Sequence, residues 1–292
     1  MFRRHIQIVN NDLKLIKTVS NRFSVLAKNI NIMYNVIYCE NLKGEIHMKL
    51  RKILCGALAA LMTLSLAGCG GEKKTTLIMA TNAEFPPYEY RDGDQIVGID
   101  AEIAQAIADD LGMELVIEDM AFDSLIAAVQ SGKADMVLAG MTVREDRLEN
   151  VNFSDPYTLT AQVVIVKDGS AIVSPSDLVG KKVGVQLGTT GDMYAEDIDD
   201  VTVERFNKGF EAVQSLLQDK VDAVIIDREP AKVFISQNEG LIILDEEYTV
   251  EEYAIAIAKN NTELLEQVNA SLAKLKESGK IGSIINKYIS AD

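Results

Sequence analysis

Two segments of this chain repeat one pattern: Lys133-Ala134-Asp135-Met136-Val137-Leu138-Ala139-Gly140 and Lys220-Val221-Asp222-Ala223-Val224-Ile225-Ile226-Asp227. In each, a Lys-x-Asp step leads into a short apolar run, and each follows a stretch of helical character, Leu125 to Gln130 or Val213 to Gln218. Short, bounded apolar runs of this kind are typical of buried strands. The repeat predicts that each half of the chain has a strand reached from a helix, which indicates two α/β lobes.

Further strands and turns alternate with these segments. Thr76 to Thr81 and Leu115-Val116-Ile117 are predicted strands. The segment Glu84-Phe85-Pro86-Pro87-Tyr88 must be extended or a turn, because consecutive prolines exclude a helix. Arg91-Asp92-Gly93-Asp94 is a predicted turn. Alternating strands and helices predict parallel sheets.

Two helices of the first half have predicted ends. Asp100 is expected to cap a helix with apolar residues at Ile103, Ile107 and Leu111, and Gly112 is expected to end it. Asp123 is expected to cap a second helix that runs through Gln130 and stops at Gly132.

The predicted strands direct attention to the residues that follow them. In open α/β sheets, ligands bind beyond the carboxyl ends of the strands. Four segments follow apolar strands in this way: Asn82-Ala83-Glu84-Phe85, Gly140-Met141-Thr142, Gln186 to Thr190, and Asp227. The sequence therefore predicts a binding site built from these segments.

The N-terminal part carries the pattern of an export signal. Basic Lys49, Arg51 and Lys52 precede the apolar run Ile53 to Leu66, which is too short to span a bilayer comfortably. The ending Leu66-Ala67-Gly68-Cys69 resembles the lipobox of bacterial lipoproteins. The resemblance implies that residues 48–68 are a signal peptide, that Cys69 is lipidated and that residues 69–75 are a tether. A coincidental small-residue end to an ordinary signal is the alternative.

Residues 1–47 precede this signal and need a separate explanation. Lys43-Gly44-Glu45 would be encoded by a purine-rich stretch at the right distance from Met48 to be a ribosome-binding site. We expect residues 1–47 to be an over-extended gene start; a genuine cytoplasmic extension is the alternative.

The composition of the chain from Cys69 onward excludes several classes of function. Of the 29 basic and 44 acidic residues, 19 and 41 lie there, a net charge of −22 that argues against nucleic acid and against docking on an anionic bilayer. His5, His47, Cys39 and Cys55 all precede Cys69. Ser-His-Asp or Cys-His catalysis, structural disulfides and His/Cys zinc sites are therefore excluded, and no metal or cofactor is expected.

Six segments occur in order along the chain: Ala80-Thr81-Asn82-Ala83-Glu84-Phe85-Pro86-Pro87-Tyr88-Glu89-Tyr90, Val97-Gly98-Ile99-Asp100, Ala139-Gly140-Met141-Thr142-Val143-Arg144-Glu145-Asp146-Arg147, Asn152-Phe153-Ser154-Asp155-Pro156-Tyr157, Val183-Gly184-Val185-Gln186-Leu187-Gly188-Thr189-Thr190-Gly191 and Asp222-Ala223-Val224-Ile225-Ile226-Asp227. Together they resemble the family-3 solute-binding proteins of ABC importers for polar amino acids. The resemblance covers essentially all of residues 76–292.

The resemblance implies an α/β fold of the two-lobe, type II periplasmic-binding-protein class. The ligand cleft lies between lobes joined by two crossing strands. The implied lobe 1 is 76–156 with 254–292, and lobe 2 is 162–248. The implied hinges are 157–161 and 249–253.

The resemblance also implies a set of ligand-binding residues: Asn82, Glu84, Phe85, Phe122, Gly140, Met141, Thr142, Arg147, Gln186, Thr189, Thr190 and Asp227. A free amino acid is a zwitterion, and burying it is costly unless both charges are paired. Arg147 would anchor the carboxylate, helped by Thr142 and Thr190, and Asp227 with the Gly140 carbonyl would receive the ammonium. Phe85 and Phe122 would sandwich the side chain.

Three further residues would set the preference for one amino acid. Asn82, Glu84 and Gln186 fall where such proteins discriminate side chains, and Asn82 stands where binders of cationic amino acids often carry Asp. An inward Glu84 would favour a basic ligand, and a solvent-facing Glu84 would leave a neutral one such as glutamine.

The structural alternatives for these residues are ordinary ones. Arg147 could form a surface ion pair with Asp146 or Glu145, Asp227 could cap a helix, and the two phenylalanines could be plain core residues.

The resulting expectation is a monomeric, membrane-tethered binding protein, not an enzyme, that delivers a polar amino acid to an ABC permease outside the cytoplasm. One alternative is an enzyme such as a cyclohexadienyl dehydratase, which shares this fold and would need a proton donor such as Glu84. An amino-acid sensor is another.

Overall fold

The structure is a computed structural model, and it describes residues 75–289. The predicted upstream extension, signal peptide and lipidated Cys69 lie outside the described residues. Within residues 75–289, no helix is long and apolar enough to cross a membrane.

One lobe, called the first lobe here, is built on a five-stranded sheet in the order β5-β1-β6-β14-β7. Strand β1 is parallel to β5 and β6, whereas β14 is antiparallel to β6 and β7. The strands are β1 Thr76–Thr81, β5 Glu114–Asp119, β6 Met136–Val137, β7 Val151–Phe153 and β14 Ala256–Ala258. A small antiparallel sheet adds β2 Glu84–Phe85, β3 Glu89–Asp92 and β4 Gln95–Val97. Its helices are α1 Ile99–Leu111, α2 Leu125–Gln130, α3 Glu145–Leu148, α7 Thr262–Glu277 and α8 Lys280–Tyr288, with a 3-10 turn at Phe122–Ser124.

The second lobe is built on a sheet in the order β10-β9-β11-β8-β12, with β13 also paired to β8. Strand β9 is parallel to β10 and β11, and β8 is antiparallel to its neighbours. The strands are β8 Thr158–Lys167, β9 Lys182–Gln186, β10 Thr202–Phe206, β11 Ala223–Asp227, β12 Leu241–Ile243 and β13 Thr249–Tyr253. Its helices are α4 Thr190–Glu196, α5 Gly209–Leu217 and α6 Arg228–Gln237, with a 3-10 turn at Pro175–Leu178.

The two Lys-x-Asp segments form the same local structure in the two lobes. A left-handed residue ends the preceding helix in each, Gly132 with φ 72° and Asp219 with φ 58°. The Asp135 carboxylate then accepts the main-chain N–H of Ile78 at 2.8 Å, and the Asp222 carboxylate accepts that of Lys182 at the same distance. Each aspartate thus fastens the strand that follows it to the neighbouring parallel strand.

The chain passes between the lobes along two paired strands. Tyr253 of β13 lies opposite Thr158 of β8, and Thr249 lies opposite Gln162, so the two segments form an antiparallel ribbon. The strands of the first sheet come from before Thr158 and after Tyr253, and those of the second come from between them. Residues 158–161 and 249–253 of the predicted crossings lie in this ribbon, and Tyr157 directly precedes it.

The predicted caps of the first two helices are wrong. Gly98, with φ 125°, occupies the cap position of α1, where a Cβ would lie 2.2 Å from the Tyr88 carbonyl oxygen. Asp100 instead lies in the first turn with its side chain fully buried. Asp123 lies inside the 3-10 turn before α2, and no side chain caps either start. Gly112 does end α1, in the left-handed conformation.

Candidate functional site

A narrow cavity lies between the lobes. Ten of the twelve predicted ligand-binding residues line it, from segments far apart in the chain: Asn82, Phe85, Phe122, Gly140, Thr142, Arg147, Gln186, Thr189, Thr190 and Asp227. The lining comes from the carboxyl ends of strands and from the starts of helices, as expected for α/β sheets.

Arg147 lies in the short helix α3 and is almost fully buried. Its Nη1 donates to the main-chain oxygen of Thr142 at 2.8 Å, and its Nη2 donates across the cleft to that of Gly188 at 3.0 Å. The guanidinium carbon lies 5.5 Å from the centre of the Phe122 ring. Burial lowers the pKa of Arg147 to about 10, which leaves the side chain cationic at neutral pH. The surface ion pair with Asp146 belongs to Arg144 instead.

Asp227 ends β11 and stands at the cap position of α6, yet its side chain makes no cap hydrogen bond. It accepts the hydroxyl of Tyr253 at 2.5 Å and lines the cavity. Burial, with a smaller contribution from nearby Glu251, raises the pKa of Asp227 to about 7. A positive group placed beside it would favour the charged form.

Asn82 and Gln186 form an amide pair that joins the lobes. Gln186 Nε2 donates to Asn82 Oδ1 at 2.9 Å and to the main-chain oxygen of Asn207 at 3.2 Å. Asn82 Nδ2 in turn donates to the main-chain oxygen of Met120 at 3.0 Å. Because the Gln186 nitrogen donates both hydrogens within the protein, its carbonyl oxygen is what this side chain can offer a ligand.

Gly140 and Thr142 place main-chain groups at the cavity. Gly140 has φ 51°, and a Cβ there would lie 3.0 Å from the Phe85 ring and 3.1 Å from the Tyr253 ring. Its N–H donates to Asp100 Oδ2 at 2.9 Å. The Thr142 hydroxyl donates to Glu251 Oε2 at 2.7 Å, so its oxygen can still accept from a ligand.

Thr189 and Thr190 lie at the start of α4. The Thr189 hydroxyl donates to the Gln186 carbonyl oxygen at 2.8 Å and accepts the N–H of Asp192. The Thr189 carbonyl oxygen accepts Nη1 of Arg144 from the first lobe at 3.0 Å. As the first residue of α4, Thr190 has a main-chain N–H without a partner inside the helix.

Two predicted ligand residues lie away from the cavity. Glu84 Oε1 pairs with Lys208 Nζ of the second lobe at 2.5 Å and lines a separate surface groove. Strand alternation explains this, because Phe85 next to it points into the cavity. Met141 is buried in the core of the first lobe, packed with apolar neighbours of β6 and α2.

The structure adds residues that sequence reasoning missed. Glu89 and Ala139 line the cavity. Glu89 is buried, and its carboxyl group lies beside that of Asp100, to which its neutral form can donate a hydrogen bond. Burial and then the charge of Asp100 raise its pKa well above the ordinary range, so the neutral form is favoured. Alternation along β3 could have placed Glu89 inward, but nothing in the sequence indicated that a carboxyl would be buried there.

Two lobes closing on one buried cavity, with a cation from one and a carboxylate from the other, define a binding protein for a small zwitterion. The chain belongs to the bacterial extracellular solute-binding proteins, family 3, whose sequence profile matches residues 77–291. The resemblance noted in the sequence is thereby confirmed.

Individual relatives agree with this assignment. The chain is 34% identical over 256 residues to the arginine-binding extracellular protein ArtP of Bacillus subtilis (strain 168), covering 83% of this chain and 100% of ArtP. An ancestral arginine-binding protein, in one structure bound to arginine and in another bound to glutamine, is 41% identical in sequence to the present chain. Each of the two structures matches this chain with a TM-score of 0.72. The matches cover 74% and 75% of this chain and 99% and 100% of the ancestral chains. The predicted two-lobe α/β fold is confirmed.

Proposed function

We propose that this protein captures a free polar L-amino acid in its interlobe cleft, outside the cytoplasm, and delivers it to an ABC importer. The observation that carries the proposal is the pair of buried opposite charges on the cavity, Arg147 from the first lobe and Asp227 from the second. Guanidinium matches a carboxylate with two parallel hydrogen bonds, and a carboxylate matches an ammonium. The zwitterion common to all free amino acids supplies both groups.

The remaining cavity groups favour a ligand side chain that donates hydrogen bonds. Gln186 offers an oxygen, and Glu89 adds a buried carboxyl group to the lining. An acidic side chain would meet acceptors and carboxyl groups, which is unfavourable in a buried site. Arginine is the first candidate because its guanidinium carries five donors and because ArtP and the ancestral protein are arginine binders.

Glutamine is the second candidate. Glu84, whose inward placement would have favoured a basic ligand, faces Lys208, and burial favours the neutral form of Glu89. The amide pair of Asn82 and Gln186 suits a neutral amide equally well. The ancestral relative has been solved with arginine and with glutamine, which supports both amino acids as candidate ligands.

Isothermal titration calorimetry with arginine, glutamine and glutamate tests the ligand class. We expect arginine or glutamine to bind and glutamate not to bind. A ligand at 100 times its dissociation constant should also stabilise the fold by about 2.7 kcal/mol in thermal unfolding. Tight binding of glutamate, or no binding of any of the twenty amino acids or cystine, would contradict the proposal.

The site is proposed to bind its ligand without chemical change. Glu84, the proton donor required by the dehydratase alternative, lies outside the cavity in an ion pair. Mass spectrometry of a bound amino acid after prolonged incubation should recover it unaltered. Conversion of prephenate or arogenate, followed by absorbance, would support the enzyme instead.

Anchoring through Cys69 is part of the proposal and follows from the lipobox-like sequence alone. Cys69→Ala should leave the precursor unprocessed or release the protein from membranes, since anchoring would depend on the lipidated residue. Cells that produce the wild type or Cys69→Ala are fractionated, and labelled fatty acid detects the lipid in each protein. A processed Cys69→Ala protein that stays in the membrane fraction would count against lipidation.

A further inference from the structure

Tyr253 connects the first lobe to the charged group of the second. It is the last residue of β13, on the ribbon that joins the lobes, and its side chain is fully buried. Its ring meets Tyr88 edge-on at 5.0 Å between centres and lies against Gly140, both in the first lobe. Its main-chain oxygen accepts the N–H of Tyr157 at 2.9 Å. The ring is therefore fixed by the first lobe and the ribbon.

The hydroxyl of this fixed ring reaches the second lobe. It donates to Asp227 Oδ1 at 2.5 Å, while Asp227 belongs to β11 of the second sheet. A donor on Oδ1 leaves Oδ2 for an incoming ammonium and limits rotation of the carboxylate. No predicted site residue supplies this constraint, because those on the cavity act on the ligand directly.

The surroundings of Asp227 make this donor important. A buried carboxylate next to other carboxyl groups tends to take up a proton, and a protonated Asp227 cannot pair with an ammonium. A hydroxyl that donates to the carboxylate favours its charged form. Five charged or titratable side chains and one amide influence the charge of Asp227. They are Tyr88 before β3, Glu89 on β3, Arg147 on α3, Gln162 on β8, and Glu251 and Tyr253 on β13.

We propose that Tyr253 is a positioning residue of the binding site: its hydroxyl orients the Asp227 carboxylate for the ligand's ammonium, favours the charged form of that carboxylate and ties it to the interlobe ribbon. The assignment rests on the proposed function.

The test compares two tyrosine-to-phenylalanine variants on the same ribbon. Tyr253→Phe keeps the ring and removes the donor to Asp227. Tyr157→Phe is the matched control, because the Tyr157 hydroxyl donates to Asp100 at 2.8 Å and not to Asp227. Calorimetry with L-arginine and with L-glutamine is run across a range of pH on both variants and the wild type.

Tyr253→Phe should bind the amino acid roughly tenfold more weakly at neutral pH, because more of the protein then carries a protonated Asp227 that cannot receive the ammonium. As the pH is lowered, its affinity should also begin to fall at a higher pH than in the wild type, because Asp227 without the Tyr253 hydrogen bond is protonated more readily. Tyr157→Phe should keep the wild-type midpoint of this pH profile. Equal pH profiles for all three proteins would overturn the proposal, as would a shift of the same size in both variants.

A second readout does not depend on the ligand. Carbon-13 NMR titration of the Asp227 carboxyl group in the free protein should move to higher pH in Tyr253→Phe and stay in place in Tyr157→Phe. An unmoved titration would refute the role of the hydroxyl. A moved titration in a protein that binds no amino acid would refute the proposed function instead.

Discussion

Replacing Arg147 with lysine should weaken amino-acid binding although the positive charge is kept. The guanidinium donates to carbonyl oxygens of both lobes, Thr142 at 2.8 Å and Gly188 at 3.0 Å, so its plane is fixed when the lobes are together. A carboxylate can then meet two of its remaining N–H groups at once. Lysine presents three donors at a single nitrogen and cannot make both sets of bonds.

The magnitude follows from the bonds that are lost. A hydrogen bond to a charged group contributes about 1.5–3 kcal/mol. Losing one such bond between the ligand and Arg147 corresponds to a roughly 10- to 150-fold loss of affinity. Arg147→Ala leaves the ligand carboxylate buried and unpaired, which costs about 2–5 kcal/mol and a larger fraction of the affinity.

Arg144 provides the matched control three residues away. It also donates across the cleft, from Nη1 to the Thr189 carbonyl oxygen at 3.0 Å, but it does not line the cavity. Its ion pair is with Asp146, whose side chain is 60% exposed. Exposed pairs contribute at most about 1 kcal/mol, so Arg144→Lys should cost less than about fivefold. Calorimetry with arginine and glutamine on Arg147→Lys and Arg144→Lys measures the two losses of affinity. Equal losses in the two would remove Arg147 from the carboxylate site.

Three further perturbations have definite expected results. Glu84→Gln should weaken binding by less than about fivefold, since it removes only a partly exposed ion pair with Lys208; a loss above 100-fold in calorimetry would put Glu84 in ligand contact. Gly140→Ala should lower the free energy of unfolding by about 1–3 kcal/mol in denaturant titration and reduce affinity, because the new Cβ meets the Phe85 and Tyr253 rings. Gly93→Ala, with φ 60° but open space around it, should destabilise the fold less and leave binding intact. Equal effects of the two substitutions would refute the role of the two rings. Affinity should fall as pH drops through about 7, because Asp227 must lose its proton to receive the ammonium, and a flat profile from about pH 8 to 6 would contradict this.

The repeated Lys-x-Asp segments show why much of the fold could be predicted. Asp135 and Asp222 each bond to the strand beside them, and the turn before each is set by one left-handed residue. These interactions lie within a helix-to-strand unit, so local sequence carries them. The same is true of β1, whose predicted bounds match the structure.

The parts that could not be predicted depend on partners far along the chain. Glu84 is directed by Lys208, 124 residues away, and Asp100 by Gly140 and Tyr157 rather than by its own helix. The pairing of Tyr253 with Asp227 likewise appears only when the ribbon and β11 are brought together. Motif spacing places a residue near the cleft, but the direction of its side chain is fixed by partners far along the chain, which for Glu84 lie in the opposite lobe.

Two contacts across the cleft come from first-lobe residues that do not line the cavity, Glu84 with Lys208 and Arg144 with the Thr189 carbonyl oxygen. Arg147 and Asp227, by contrast, line the cavity. If the ligand binds the closed arrangement, its apparent affinity is scaled by the fraction of protein that is closed, whichever amino acid is bound. Glu84→Gln and Arg144→Lys should therefore reduce the affinities for arginine and glutamine by one common factor. Gln186 lines the cavity and is proposed to meet the ligand side chain, so Gln186→Ala should change the ratio of the two affinities. A changed ratio in Glu84→Gln or Arg144→Lys would show that recognition extends beyond the cavity.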